Sequence, residues 1–161
     1  MKKNTVIFLA VMVETAGAII TGICIGKKKR KKEEKWKELS EKHLALMRLL
    51  NQWVIVKQER KSIIDYFQRQ NIKSIAIYGM SYVGERLLQE LNDSEVEVKY
   101  AIDKNAEGIF ADIDVIQPDE DLPIVDAIVV TPIFYFDEIE NMLEQKTEIE
   151  ILSMEDILYD L

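Results

Sequence analysis

The sequence predicts an α/β protein in three parts. Residues 1–32 read as a single N-terminal transmembrane helix with a basic flank, 33–70 as a long juxtamembrane helix, and 71–161 as a small parallel sheet of about five strands. Three observations predict it: one 21-residue block holds a single charge, the 38 residues from Glu33 to Gln70 contain no Gly or Pro, and after Asn71 short apolar runs alternate with helical stretches.

The first block runs from Thr5 to Ile25, with Glu14 its only charge. At about 1.5 Å per residue it reaches about 30 Å, one hydrocarbon core. Residues 1–32 carry eight Lys or Arg against one acid, a net of +7, which leaves −15 for the remainder of a chain whose total is −8. An acidic body disfavours nucleic acid as a partner, because a phosphate backbone needs a positive face. One Cys and one His exclude a disulfide framework and most zinc sites.

A cleaved signal peptide is the alternative for this block, with small residues at Ala16, Gly17 and Ala18. Against it, the apolar run continues through Ile19, Ile20, Ile23 and Ile25, beyond a signal core of about 7–15 residues, and ends in KKKRKK. An uncleaved membrane anchor is the better reading, and six cations on its C-terminal flank put the following body in the cytoplasm. The same run adds about 1 kcal/mol per cation beside an anionic leaflet. Within the span Ala10, Glu14, Ala18, Gly22 and Gly26 recur every fourth residue. That stripe is either a helix-association face, which would make the chain a homo-oligomer or pair it with a membrane enzyme, or ordinary span composition. Cys24 reads as an inert apolar thiol.

Glu33 to Gln70 reads as one long helix or two. Leu39, Leu46, Leu50, Trp53, Ile64 and Phe67 form an apolar stripe about one face wide, interrupted by Lys57 and Arg60. The interruption favours a helix packing its Trp53 face on the following domain over a continuous coiled coil. His43 has no second ligand nearby and reads as a plain helical residue.

The sheet elements follow in order. A strand from Ser74 to Met80 leads into a helix from about Tyr82 to Leu91, and a second strand, Val96 to Ile102, ends at Asp103. An acidic stretch allows only a short third strand around Val115 and Ile116. Asp126 to Thr131, unbroken apolar after its first residue, is the fourth, as a strand buried on both faces should be. Phe136 to Gln145 is a helix and Glu148 to Leu152 a fifth strand. Right-handed crossovers predict the order 3-2-1-4-5, a Rossmann-like arrangement.

Any chemistry should sit at the carboxyl ends of these strands. Gly79-Met80-Ser81-Tyr82-Val83-Gly84 gives G-x-S-x-x-G between strand and helix, where a dinucleotide fingerprint has G-x-G-x-x-G. Gly79 permits the tight turn, Gly84 close helix packing, and the amides opening the helix can hold a phosphate. Ser81 replaces the glycine that lets backbone touch a pyrophosphate, so the loop stands off or uses the hydroxyl. A nucleophile elbow, G-x-S-x-G, fails at Val83. Asp103, 19 residues after Gly84, stands where an acid binds ribose hydroxyls. Its place at a strand end predicts that Asp103→Ala costs binding with little loss of stability. Across the crevice, Thr131-Pro132-Ile133-Phe134-Tyr135-Phe136 forms a wall whose aromatics either stack on a ligand or cap the core. The candidate cofactor-binding residues are therefore Gly79, Met80, Ser81, Tyr82, Gly84, Asp103, Lys104 and Thr131. No catalytic residue and no metal ligand is assigned. Tyr100 and Lys104 spell Y-x-x-x-K, but on a strand their side chains stand over about 10 Å apart. Asp112 and Asp114 read as a solvated edge.

IAIYGMSYVGERLLQEL, VKYAIDKN, VDAIVVTPIFYFDEI and ILSMEDILYDL resemble the small Rossmann-type nucleotide domains of bacterial surface-polysaccharide machinery. These include the CoA-binding-like domain of membrane-bound nucleotide-sugar dehydratases and initiating sugar-phosphate transferases, and the UDP-sugar-binding domain of sugar acyltransferases. The resemblance covers about residues 70–161 and lacks the catalytic domain that follows in those proteins. It implies nucleotide contacts from Gly79, Ser81, Gly84 and Asp103, and a membrane-tethered sensor or accessory subunit of a glycan-synthesis membrane enzyme. Two functions remain open from the residues: a non-catalytic module for a nucleotide, nucleotide sugar or NAD(P), or a reduced NAD(P)- or S-adenosylmethionine-dependent enzyme using the same crevice. The binding module is favoured, because about 90 residues leave little room for a substrate domain.

Overall fold

The computed structural model of the protein describes residues 2–161, with side chains from Lys29 onward. The expected span, Thr5 to Ile25, lies outside the residues whose side chains are described. Among the described residues no helix is long and apolar enough to cross a membrane.

The chain forms two compact units, Met1–His43 and Leu44–Leu161. The first is helical, the opening part of α1 (Lys2–Gln58). Its exposed stretch carries Lys29–Glu33 and Lys37–Glu41 ion pairs at i,i+4 spacing, each worth a few tenths of a kcal/mol.

The second unit begins in the same helix, where Leu49, Trp53 and Val56 are buried in the core. No Gly or Pro stops α1. It ends where Arg60 adopts φ 60°, and Ser62 opens α2 (Ile63–Arg69) with a capping box, its side chain accepting from Ile64 N while Asp65 accepts from Ser62 N. The sheet follows: β1 (Ser74–Tyr78), α3 (Tyr82–Leu91), β2 (Glu97–Ile102), a 3-10 turn Ala106–Gly108, β3 (Val115–Ile116), β4 (Ala127–Val130), a 3-10 turn Ile133–Tyr135, α4 (Phe136–Glu144) and β5 (Glu150–Ser153). All pairings are parallel and the order is β3-β2-β1-β4-β5, the order expected from the crossovers. A last helix, α5 (Met154–Asp160), is an element the sequence reading did not anticipate.

Both faces of the sheet are covered, as a parallel sheet requires. Ile75 and Ile77 of β1 pack with Leu49, Phe67, Leu87 and Ile157 on the side of α1, α2, α3 and α5. Ala76 and Tyr78 point the other way, into a smaller cluster with Ile139 and Leu143 of α4. Glu90 of α3 ties the helical layer together: it accepts from Trp53 Nε1 at 2.7 Å and from Ile63 N at 3.4 Å, and pairs with Lys57. The C-terminal end of α5 is fastened twice, by Gln52 Nε2 to Leu158 O (3.1 Å) and by Arg69 to Asp160 (2.7 Å).

At the amino end of the sheet one carboxylate joins β4 to β1. Asp126 Oδ2 accepts from Lys73 N, Ser74 N and Ser74 Oγ at 2.8–2.9 Å. The two backbone bonds, then the Ser74 hydroxyl, hold its pKa below the ordinary carboxylate value. A depressed native pKa contributes stability that is complete above the unfolded value of about 3.9 and fades as pH falls through the native one. The stability difference between wild type and Asp126→Asn should therefore be largest near neutrality and close on acidification, read as denaturant midpoints across pH. A difference independent of pH would contradict this role.

Candidate functional site

The β1–α3 turn sits where strand order reverses, between β1 and its neighbours β2 and β4. Gly79 follows β1 with φ +95° and donates to Ile102 O at 2.8 Å. A Cβ there would lie 2.6 Å from Pro132 Cγ, so the position takes glycine for both conformation and space. Thr131, at the end of β4, is buried and braces the turn: its N donates to Tyr78 O (3.0 Å) and its Oγ1 to Gly79 O (2.7 Å). That commits the Thr131 hydroxyl proton to the loop. Phe136 packs against the α4-side cluster, while Phe134 and Tyr135 meet edge to face at 5.5 Å with both rings partly exposed.

Ser81 opens α3 with extended backbone but makes no side-chain cap bond. The contrast is internal. Ser62 and Ser153 both cap their helices through Oγ, whereas among the described residues no side chain caps the first-turn N–H groups of α3, nor does Tyr135 cap α4. Those amides carry the positive end of the helix dipole, and Ser81 and Tyr82 beside them are exposed. Glu85 adds a negative side chain to the same turn.

Asp103 follows β2 where the sequence places it, but makes hydrogen bonds the sequence did not foretell. Its Oδ2 accepts from Met80 N at 2.8 Å and its Oδ1 from Asn105 N at 2.9 Å. The acid ending β2 thus braces the glycine turn as well as standing beside it. An ionised carboxylate offers about four acceptor positions, so about two remain for hydroxyl donors. Lys104, next along, is exposed.

The fold gathers Gly79, Met80, Gly84, Asp103 and Thr131 into one tightly packed and hydrogen-bonded knot, with Ser81, Tyr82 and Lys104 at its exposed margin. A cleft of about 630 Å³ takes in Met80 but not Ser81, Asp103 or Thr131. Tyr78, not singled out by its sequence, is also part of this end of the sheet. Its hydroxyl is buried with no hydrogen-bond partner among the described residues. Burial, then the Asp103 and Glu138 carboxylates, pushes its pKa up. An unpartnered buried hydroxyl costs stability, so Tyr78→Phe should leave the melting temperature unchanged or raise it; a clear fall would mean that the hydroxyl has a partner. Alternation with Ala76 marks Tyr78 as inward-facing, but nothing in the sequence signals the missing partner.

No protein-family model, curated protein or solved structure matches the chain.

Proposed function

We propose that this chain is a membrane-tethered, non-catalytic module whose α/β unit binds a nucleotide or nucleotide sugar at the β1–α3 turn, on the cytoplasmic side, as an accessory or sensor in envelope-polysaccharide synthesis. The observation that carries it is the opening of α3: a glycine turn at the carboxyl edge of a parallel sheet leads into a helix whose first-turn N–H groups have no side-chain cap. A phosphate is the chemistry such a turn receives. The two acceptor positions left on Asp103 suit ribose hydroxyls, and the exposed Tyr82 ring offers a face for a base. The tether rests on the 21 residues from Thr5 to Ile25 and on KKKRKK after them. The polysaccharide setting rests on the sequence resemblance alone. A binding role is favoured over an enzymatic one because the one acid of the candidate set, Asp103, is engaged with two backbone amides.

Calorimetry on the detergent-solubilised full chain tests the ligand, with UDP-sugars, NAD(P) and acyl-CoA titrated in turn. One of these should bind saturably and compete with inorganic pyrophosphate, since both would use the α3 amides. If none binds at about millimolar concentration, where even about 4 kcal/mol of binding free energy registers, the nucleotide reading is lost.

A further inference from the structure

Two of the four connections of the sheet, β2–β3 and β3–β4, contain no α-helix. The β1–β2 and β4–β5 connections carry α3 and α4, but residues 103–114, between β2 and β3, make the crossover with a 3-10 turn and an extended stretch. Parallel neighbours are ordinarily joined by a helix that covers them. Here Ile109, Ala111 and Ile113 of that loop pack, partly buried, on the same core as α3, which itself meets β2. What remains is the cleft of about 630 Å³ between α3 and this loop. Its lining is mixed: Met80, Leu88, Val98 and Ile113 are its apolar part, and Phe110 beside them is 99% exposed.

The rim has one sign. Glu85, Asp93, Glu95, Glu97 and Asp112 line the cleft, and no Lys or Arg does among the described residues. Arg86 and Lys99 reach Glu85 and Glu97 from outside it. Asp93, Glu95 and Asp112 have no ion-pair partner among the described residues. An acidic rim repels phosphate and an anionic leaflet alike, which removes a nucleotide and the membrane surface as occupants. A cleft that joins these apolar side chains to an acidic rim is instead complementary to a helix with one apolar face and basic flanks.

We infer that this cleft docks a cationic amphipathic helix from a partner polypeptide, which takes the place of the absent crossover helix on β2 and β3. The apolar anchors at i, i+3 or i+4 and i+7 would lie on Val98, Leu88 and Ile113, with Lys or Arg of the flanks against Glu95, Glu97 and Asp112. This docking is independent of any ligand at the β1–α3 turn, since its residues other than Met80 and Glu85 lie away from that turn.

The test uses the full chain in a neutral detergent and a fluorescent Leu/Lys peptide patterned as an amphipathic helix, followed by anisotropy. Two proteins are compared with wild type: the triple variant Glu95→Lys, Glu97→Lys, Asp112→Lys, whose changes are all on exposed side chains, and Ala111→Trp, which fills the cleft. Peptide uptake by detergent is common to all three, so differences read the cleft. Wild type should bind saturably, and each variant should weaken binding at least about tenfold while keeping its circular dichroism. The same Leu/Lys composition in scrambled order should bind more weakly than the patterned peptide. Equal affinity across the three proteins, equal affinity for the scrambled peptide, or no saturable binding to wild type would each overturn the inference. Preferential binding of a Leu/Glu peptide would do the same.

Discussion

Gly84→Ala is expected to destabilise the α/β unit by about 3 kcal/mol, although helix propensity taken alone predicts a gain of about 1 kcal/mol at a position inside a helix. Gly84 is the third residue of α3, pressed against the turn that precedes it. A Cβ on it would lie 2.1 Å from Gly79 O and 3.1 Å from Gly79 C. Those are backbone atoms, and Gly79 O is itself held by Thr131 Oγ1 at 2.7 Å. No flexible side-chain tip is present to swing aside. Either α3 lifts from β1, exposing the Val83 and Leu87 packing, or the Gly79 turn reopens. Since small domains hold about 5–15 kcal/mol in all, the loss should be plain in a urea titration of the full chain. Gly84→Val adds a branched side chain at the same place and should be worse. A stabilising Gly84→Ala would mean that α3 sits farther from the turn than described.

Asp103→Ala is the second large effect, and it separates two roles of one carboxylate. The Met80 N–H loses its acceptor in a residue that is buried, so the amide is left with little access to water. The Asn105 N–H is exposed and can turn to solvent. The cost is about 2–3 kcal/mol of stability, the scale of a hydrogen bond to a charged group plus an unsatisfied donor. The expectation that a strand-end acid can be removed at little cost to stability is thus revised by its bond to Met80. Asp103→Asn keeps one acceptor oxygen for Met80 and should recover much of the loss. A bound nucleotide should weaken in both variants, because the site loses its ribose acceptor in Asp103→Ala and its negative charge in Asp103→Asn. If Asp103→Ala leaves the melting temperature unchanged, the brace is not structural.

The strand order could be read from the chain because each strand advertises itself. AIVV of β4 is apolar throughout, as a central strand should be, and the alternation of Ile75, Ala76, Ile77 and Tyr78 shares β1 between two cores. Boundaries moved by one or two residues, as at β5, where Ser153 joins the strand and then caps the next helix. That helix, α5, was missed although Ser153-x-x-Asp156 spells a helix start; seven residues give too little periodicity to register. The α1–α2 break has the same signature, Ser62-Ile63-Ile64-Asp65, hidden in a stretch without Gly or Pro. The glycine turn was legible because φ > 0 and close packing each demand a residue type. The Asp103–Met80 bond and the Thr131 brace were not, because they depend on how two loops meet in space, and no spacing rule encodes that.

The central place of β1 sets the order in which the unit assembles. Its β2 side closes a short loop, with Met80 and Asp103 only 23 residues apart, whereas the β4 side joins Ser74 to Asp126 across 52. Each doubling of loop length costs only about 0.6 kcal/mol in entropy, so the finished stability barely registers the difference. The folding rate does, since distant parallel pairing must be reached before it is rewarded. The β1–α3–β2 segment is the natural nucleus, β4 docks on a template already half built, and β5 with α5 closes last. Until β5 pairs, the edge of β4 away from β1 has no strand partner, and an open edge is where a second chain can add a strand.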